Sequence, residues 1–188
     1  MAIGATTAAH ARRKQNGYFE TIFVGRGIDI GCGDDPVTPG CDQFDLIFGN
    51  GDAEVLAHVP DGMYDWVYSS HCLEHLHHPL RALREWWRLV RVGGKLVVVV
   101  PDEDLYEQGI WPSRFNVDHK WTFALGKTTS WSPRSFNLDD LLCLLPGAYF
   151  DWITRIDTGY DHTGGVWDRT LLGQEAHIEA VVTKVGVR

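Results

Sequence analysis

GIDIGCGDD, residues 27–35, sets an acidic residue and two glycines at the C-terminal end of a short apolar run. Ile28 and Ile30 read as part of a buried strand, and Gly31 and Gly33 let the backbone leave it in a tight turn with no Cβ in a ligand's way. That is the edge at which an open α/β sheet binds its nucleotide. Asp29 can accept hydrogen bonds there from a ligand's amine or hydroxyl groups, or from turn amides. The dinucleotide fingerprint G-x-G-x-x-G fails, because Pro36 stands at its third glycine. A pyrophosphate would also meet Asp34 and Asp35, so NAD and FAD are disfavoured.

Working outward, strands alternate with helices. Strands are expected at 27–31, around 43–48, at 64–70 and at 95–100, with a helix near 79–90. Pro79 suits a first helical turn, and Leu80, Leu83, Trp87 and Val90 recur three and four apart, which puts them on one face. Beyond the strand Leu96 to Val100, residues 101–134 are rich in Trp, His, Pro and Ser without a sustained period, and read as an acceptor-side loop or lid. A helix from Leu138 to Leu145, stopped by Pro146 and Gly147, and strands near 149–157 and 177–184 complete the pattern. The closing strands suit an antiparallel pair at the sheet edge. Residues 1–24 read as a loose lead-in, possible as helix, with Arg12, Arg13 and Lys14 on its solvated face. Nothing divides the chain, so 1–188 is expected to be a single domain.

Composition narrows the function. The chain has 188 residues, 44% apolar and 12% aromatic, which is globular, and its net charge of −8 argues against holding nucleic acid by its phosphates. Its longest apolar run is of strand length and no signal-peptide pattern opens it, so no membrane insertion is expected. The four cysteines, Cys32, Cys41, Cys72 and Cys143, form no C-x-x-C pair, which suits a cytoplasmic setting.

DIGCG at 29–33, GDAEVL at 51–56, YDWVYSSHCLEHL at 64–76 and LREWWRLVRVGGKLVVVVPDEDLY at 83–106 together resemble the class I, S-adenosylmethionine-dependent methyltransferases of the type 11 group. The resemblance implies a Rossmann-like three-layer α/β sandwich: a mostly parallel sheet, helices on both faces and a C-terminal antiparallel strand. It implies S-adenosyl-L-methionine as cofactor and S-adenosyl-L-homocysteine as product. By it, Asp29, Gly31, Cys32 and Gly33 line the methionine part of the cofactor. Asp45, with Asp42 as the alternative, accepts from the ribose hydroxyls, Asp52 and Ala53 read the adenine, and Ser70 and His71 flank the reactive methyl. One departure stands out: only Asp34 to Cys41 separate the first turn from the next strand, and a parallel crossover ordinarily needs a dozen or more residues. The first crossover helix is therefore short or missing.

His71 and His75 are the candidate general bases if the acceptor is a hydroxyl, with His119 a third. His71, His75, His77 and His78 cluster in sequence, but HExxH spacing is absent and no metal is expected. Trp111, Trp121 and Trp131 either stack on a sugar or aromatic acceptor or bury the loop, and the acidic residues after Pro101 either orient the acceptor or form a solvated turn. The expected activity is methyl transfer to a small-molecule or saccharide-like acceptor, at oxygen. The alternative is a cofactor-binding partner or scaffold protein without activity of its own. The oligomeric state is left open.

Overall fold

The computed structural model describes residues 5–49 and 51–186. In chain order it has α1 (Ala5–Gln15), α2 (Tyr18–Thr21), β1 (Gly27–Ile30), β2 (Asp42–Phe44), β3 (Tyr64–Ser70), α3 (Pro79–Leu89) and β4 (Val90–Pro101). There follow β5 (Thr122–Ala124), β6 (Ser135–Asn137), α4 (Leu138–Cys143), β7 (Ala148–Ile156) and β8 (His177–Lys184). The main sheet has six strands in the order β2-β1-β3-β4-β8-β7. The first four run parallel, and β8 is antiparallel to both β4 and β7, as the expected closing pair requires.

Successive strand residues face opposite sides, and each side has its own core. Ile28, Ile30, Val67, Leu96, Val98 and Val100 pack with Leu83, Trp86 and Trp87 of α3 and Leu138 and Leu142 of α4. On the other side Trp66, Tyr68, Val97, Val99 and Val181 pack against Tyr18, Phe23 and Val37. The first crossover, residues 31–41, contains no helix. Instead Val37 folds back over the sheet, its backbone N–H donating to Asp29 Oδ2 at 2.7 Å.

The N-terminal segment covers the remainder of that side, which corrects the expectation of a loose lead-in; residues 1–4 lie outside the described residues. Arg12 and Arg13 are not solvated. Arg13 is buried on Glu179 of β8 at 2.5 Å, and Arg12 bonds both Glu175 at 3.0 Å and Glu179 at 2.9 Å. The Tyr18 hydroxyl also donates to Glu179. Burial works against the charge on Glu179, but Arg13, Arg12 and Tyr18 outweigh it and hold the carboxyl at about 2. A helix of weak amphipathicity is thus fixed by a buried ion network rather than by an apolar stripe, and such networks tolerate no missing partner.

Two further expectations are corrected. The second strand is short, and Leu46–Phe48 is a 3₁₀ turn capped by Asp45, whose carboxylate accepts from Ile47 N–H. The segment 101–134 is folded onto the sheet, with β5 paired in parallel to β6. Its acidic residues are anchors, not a solvated turn: Asp102 caps the turn Glu103–Glu107, and fully buried Glu103 accepts from Thr122, Ser130, Ser135 and Lys127.

Candidate active site

Two cavities, of about 480 and 560 Å³, open at the carboxyl ends of the parallel strands and share Gly31 and His71 as a common wall. The first is lined by Phe44, Asp45, Asp52, Ala53, His75 and Lys120 among others. The second is lined by Asp29, Cys32, Gly33 and Ser70, with Thr6, Thr7, His10 and Arg13 of α1 on its far side. All the residues that the sequence assigned to the cofactor therefore line one bipartite groove.

The two glycines of the turn have different reasons to be glycine. Both have positive φ, 78° at Gly31 and 55° at Gly33. A Cβ on Gly31 would lie 2.6 Å from the Cβ and Sγ of Cys72, so this position is empty to make room for a neighbouring side chain. A Cβ on Gly33 would meet nothing within 4 Å and would stand in the open groove. Gly33 thus leaves its side of the groove open, while Gly31, which lines both cavities, also makes room for Cys72.

The carboxylates divide clearly. Asp45 lines the first cavity and accepts from Gly33 N–H and Ile47 N–H, each at 3.0 Å, so it ties the turn after β1 to the turn after β2. Asp42 lines neither cavity and is held by Arg26 at 2.8 Å and the Tyr64 hydroxyl at 2.9 Å. Asp29 is buried, and burial pushes its carboxyl up to about 7 against the Val37 hydrogen bond. Burial also raises Cys32, to about 11, leaving it a thiol.

α3 fixes the loop of Asp52 and Ala53: Trp86 Nε1–H donates to the Ala53 carbonyl at 2.9 Å, and Leu56 N–H donates to Glu85 at 3.2 Å. Asp52 accepts from Glu54 N–H at 2.8 Å. Glu54, which the sequence reading passed over, accepts from the backbones of His77 and His78, at 2.5 and 2.9 Å, at the start of α3. Its signal was an acidic residue facing a helix N-terminus, visible only once the fold is known.

His71 follows β3 in a left-handed conformation, φ 52°, with its N–H on Val99 O at 3.0 Å. Such a conformation costs a non-glycine residue energy and is a feature of functional turns. His75 Nδ1 bonds Asp118 at 2.9 Å and His119 Nδ1 bonds Glu107 at 2.6 Å. His119 lines neither cavity. Of the three tryptophans, none lines either cavity: Trp121 packs on Phe136 at 4.7 Å between ring centroids, and Trp131 borders a separate surface hollow with Arg155 and Arg169.

Comparison with known proteins bears on the fold. Residues 38–98 match the family model of the methyltransferase domain. An S-adenosylmethionine-dependent methyltransferase from Thermotoga maritima, described as a possible histamine N-methyltransferase, is 19% identical with a TM-score of 0.55, over 94% of this chain and 89% of that one. One from Archaeoglobus fulgidus is 15% identical with a TM-score of 0.55, over 94% and 93%. The [4+2]-cyclase SpnF is 17% identical with the same TM-score, over 94% and 82%. At these identities the solved structures speak for the fold alone. No curated protein gives a significant match. Residues 38–98 resemble a methyltransferase domain, and the chain as a whole shares the class I, Rossmann-like fold of these solved structures.

Proposed function

We propose that the chain is an S-adenosylmethionine-dependent methyltransferase that transfers the cofactor's methyl group to a hydroxyl of a small-molecule acceptor, with the cofactor spanning both cavities across Gly31 and His71. The observation that carries this reading is the pair of adjoining cavities at the carboxyl ends of the parallel strands, which meet at Gly31 and His71. S-adenosylmethionine supplies an electrophilic methyl on a sulfonium when bound. Asp45, which lines the first cavity, holds the ribose hydroxyls, two donors on vicinal carbons matching the two oxygens of one carboxylate. Asp52 and the Ala53 backbone hold the adenine. In the second lobe Asp29 accepts from the amino group, and the donors of Thr6, Thr7 and Arg13 face the carboxylate.

The general base is His71, at the junction of the lobes. His75 is the weaker candidate, since its Nδ1 is taken by Asp118 and its Nε2 faces Glu74 at 3.8 Å. The tryptophans lend a saccharide acceptor no support, because they stand outside the cavities. A cytoplasmic setting fits the four free cysteines. Among the described residues, no helix is long and apolar enough to cross a membrane.

The test is release of S-adenosylhomocysteine in the presence of pooled hydroxylated metabolites. His71→Gln should lower turnover by roughly 10²- to 10⁴-fold with cofactor affinity nearly unchanged, and His71→Ala should be partly rescued by added imidazole. Tight cofactor binding with no turnover from any pool would favour the non-catalytic binding partner instead.

A further inference from the structure

Glu74 ends β3's exit turn fully buried, and neither of its carboxylate oxygens accepts a hydrogen bond. A buried carboxylate without a partner is costly and calls for an explanation. Three imidazoles surround Oε1: His71 Nδ1 at 3.5 Å, His75 Nε2 at 3.8 Å and His119 Nε2 at 3.9 Å.

Tautomer logic sharpens the problem. A carboxylate can only accept, so the Nδ1 atoms of His75 and His119 must donate to Asp118 and Glu107. In neutral imidazoles that leaves a lone pair on each Nε2, aimed at the unpartnered carboxylate. Three electron-rich atoms facing one another repel, and a positive charge between them, an added proton or a metal ion, relieves that repulsion. The arrangement in which a histidine gives one N–H to a carboxylate and turns its other nitrogen to an ion is the usual support of a bound metal.

We infer that Glu74, His75 and His119 bind a Zn²⁺-class divalent metal ion, with Glu107 and Asp118 orienting the two imidazoles. One donor atom from each of the three lies within 4.8 Å of the others. A tetrahedral zinc with bonds of about 2.1 Å places its ligand atoms about 3.4 Å apart, so the 3.8 and 3.9 Å separations from Glu74 close by small side-chain shifts. The frame is already rigid: Lys120 and Trp121 donate their backbone N–H groups to the Glu74 carbonyl at 2.8 and 3.3 Å, locking the two donor segments together. Two imidazoles and one carboxylate are a donor set that suits zinc and leaves a fourth position open. The side free for it is the cavity lined by His75, Asp118 and Lys120. There the ion takes an oxygen donor, water or an acceptor hydroxyl; only that last assignment rests on the proposed function.

Nothing along the chain signals this set, since His119 is remote from Glu74 and no HExxH spacing exists. The test uses untagged full-length protein, stripped with a chelator and titrated with Zn²⁺ by calorimetry and with Co²⁺ by visible absorption, without cofactor or acceptor. One equivalent of Zn²⁺ should bind, and Co²⁺ should develop the d–d bands of a low-coordinate nitrogen and oxygen site. Glu74→Gln and His119→Gln should each weaken Zn²⁺ at least 100-fold, while Glu107→Gln should weaken it about 10- to 100-fold, as expected of an outer partner. His162→Gln, remote from the cluster, should bind as the parent does. Glu74→Gln is buried and can fail to fold, so circular dichroism accompanies each variant and His119→Gln carries the decision. No Zn²⁺ binding by the parent, or equal binding by a folded His119→Gln variant, overturns the inference whatever the methyl-transfer assay shows.

Discussion

Replacing Gly31 and Gly33 by alanine, one at a time, separates packing from ligand approach. Both residues are left-handed, so each alanine carries a backbone cost of roughly 1–2 kcal/mol. At Gly31 the new Cβ also lands 2.6 Å from Cys72, which adds an overpacking cost of roughly 1–3 kcal/mol. Gly31→Ala should therefore lose about 2–5 kcal/mol of stability, or about 4–20 °C in Tm at 2–4 °C per kcal/mol for a chain of this size. Gly33→Ala should lose only the backbone part, about 2–8 °C. Its Cβ stands in the groove, however, and should raise the Kd for S-adenosylhomocysteine by at least about tenfold, or about 1.4 kcal/mol. Thermal denaturation and calorimetric titration read the two effects. A cycle with Cys72→Gly isolates the Gly31 clash, because the coupling between touching residues is what such a cycle measures. Unchanged affinity in Gly33→Ala, or equal stability losses with no coupling to Cys72→Gly, would refute the division of roles.

Three other outcomes are expected. Asp45→Asn should weaken S-adenosylhomocysteine by about 2–4 kcal/mol in calorimetry, while Asp42→Asn leaves affinity alone; the reverse pattern places the ribose elsewhere. Asp29, raised to about 7 by burial, must be ionised to receive a cationic amine, so cofactor affinity should rise with pH up to about 7 and then level off. A flat profile would remove Asp29 from the amine site. Glu179 titrates at about 2 in the fold, below its unfolded value of 4.5, so its contribution is complete above about 4.5 and is lost as pH falls toward 2. Glu179→Gln should accordingly destabilise by about 3–5 kcal/mol at neutral pH and flatten the acid limb of the stability profile measured by denaturant titration.

The main-sheet strands and α3 were legible because their signals are local: a two-residue alternation and a three-to-four spacing can be read along the chain. The candidate groove was legible for the same reason. Asp29, Gly33, Asp45 and Ser70 sit just at or past strand ends, and a parallel sheet brings those ends to one edge. What escaped are contacts between distant segments. Arg13 reads as a solvated cation until Glu179, 166 positions away, is set beneath it. Glu74 and His75 read as a motif of the turn until His119 closes on them from the folded segment behind. The strand expected at 43–48 broke after Phe44 because Asp45 accepts from Ile47 N–H and so starts a turn, a competition between side chain and ladder that composition does not show.

The absent first crossover helix and the buried N-terminal cations are one fact with two sides. A parallel sheet must be covered on both faces, and the loop of residues 31–41 covers only what Val37 can reach. α1 and α2 supply the rest, but α1 has no apolar face adequate to hold it, so its position depends on Arg12 and Arg13 meeting Glu175 and Glu179. That same helix puts Thr6, Thr7, His10 and Arg13 on the wall of the second cavity. A ligand held there gains contacts only when α1 is docked, and α1 docks more firmly when the ligand is present, because coupling of this kind is reciprocal. A fold that covers its sheet with α1 and α2 in place of a crossover helix thereby makes one wall of the second cavity depend on a charge network seated on β8.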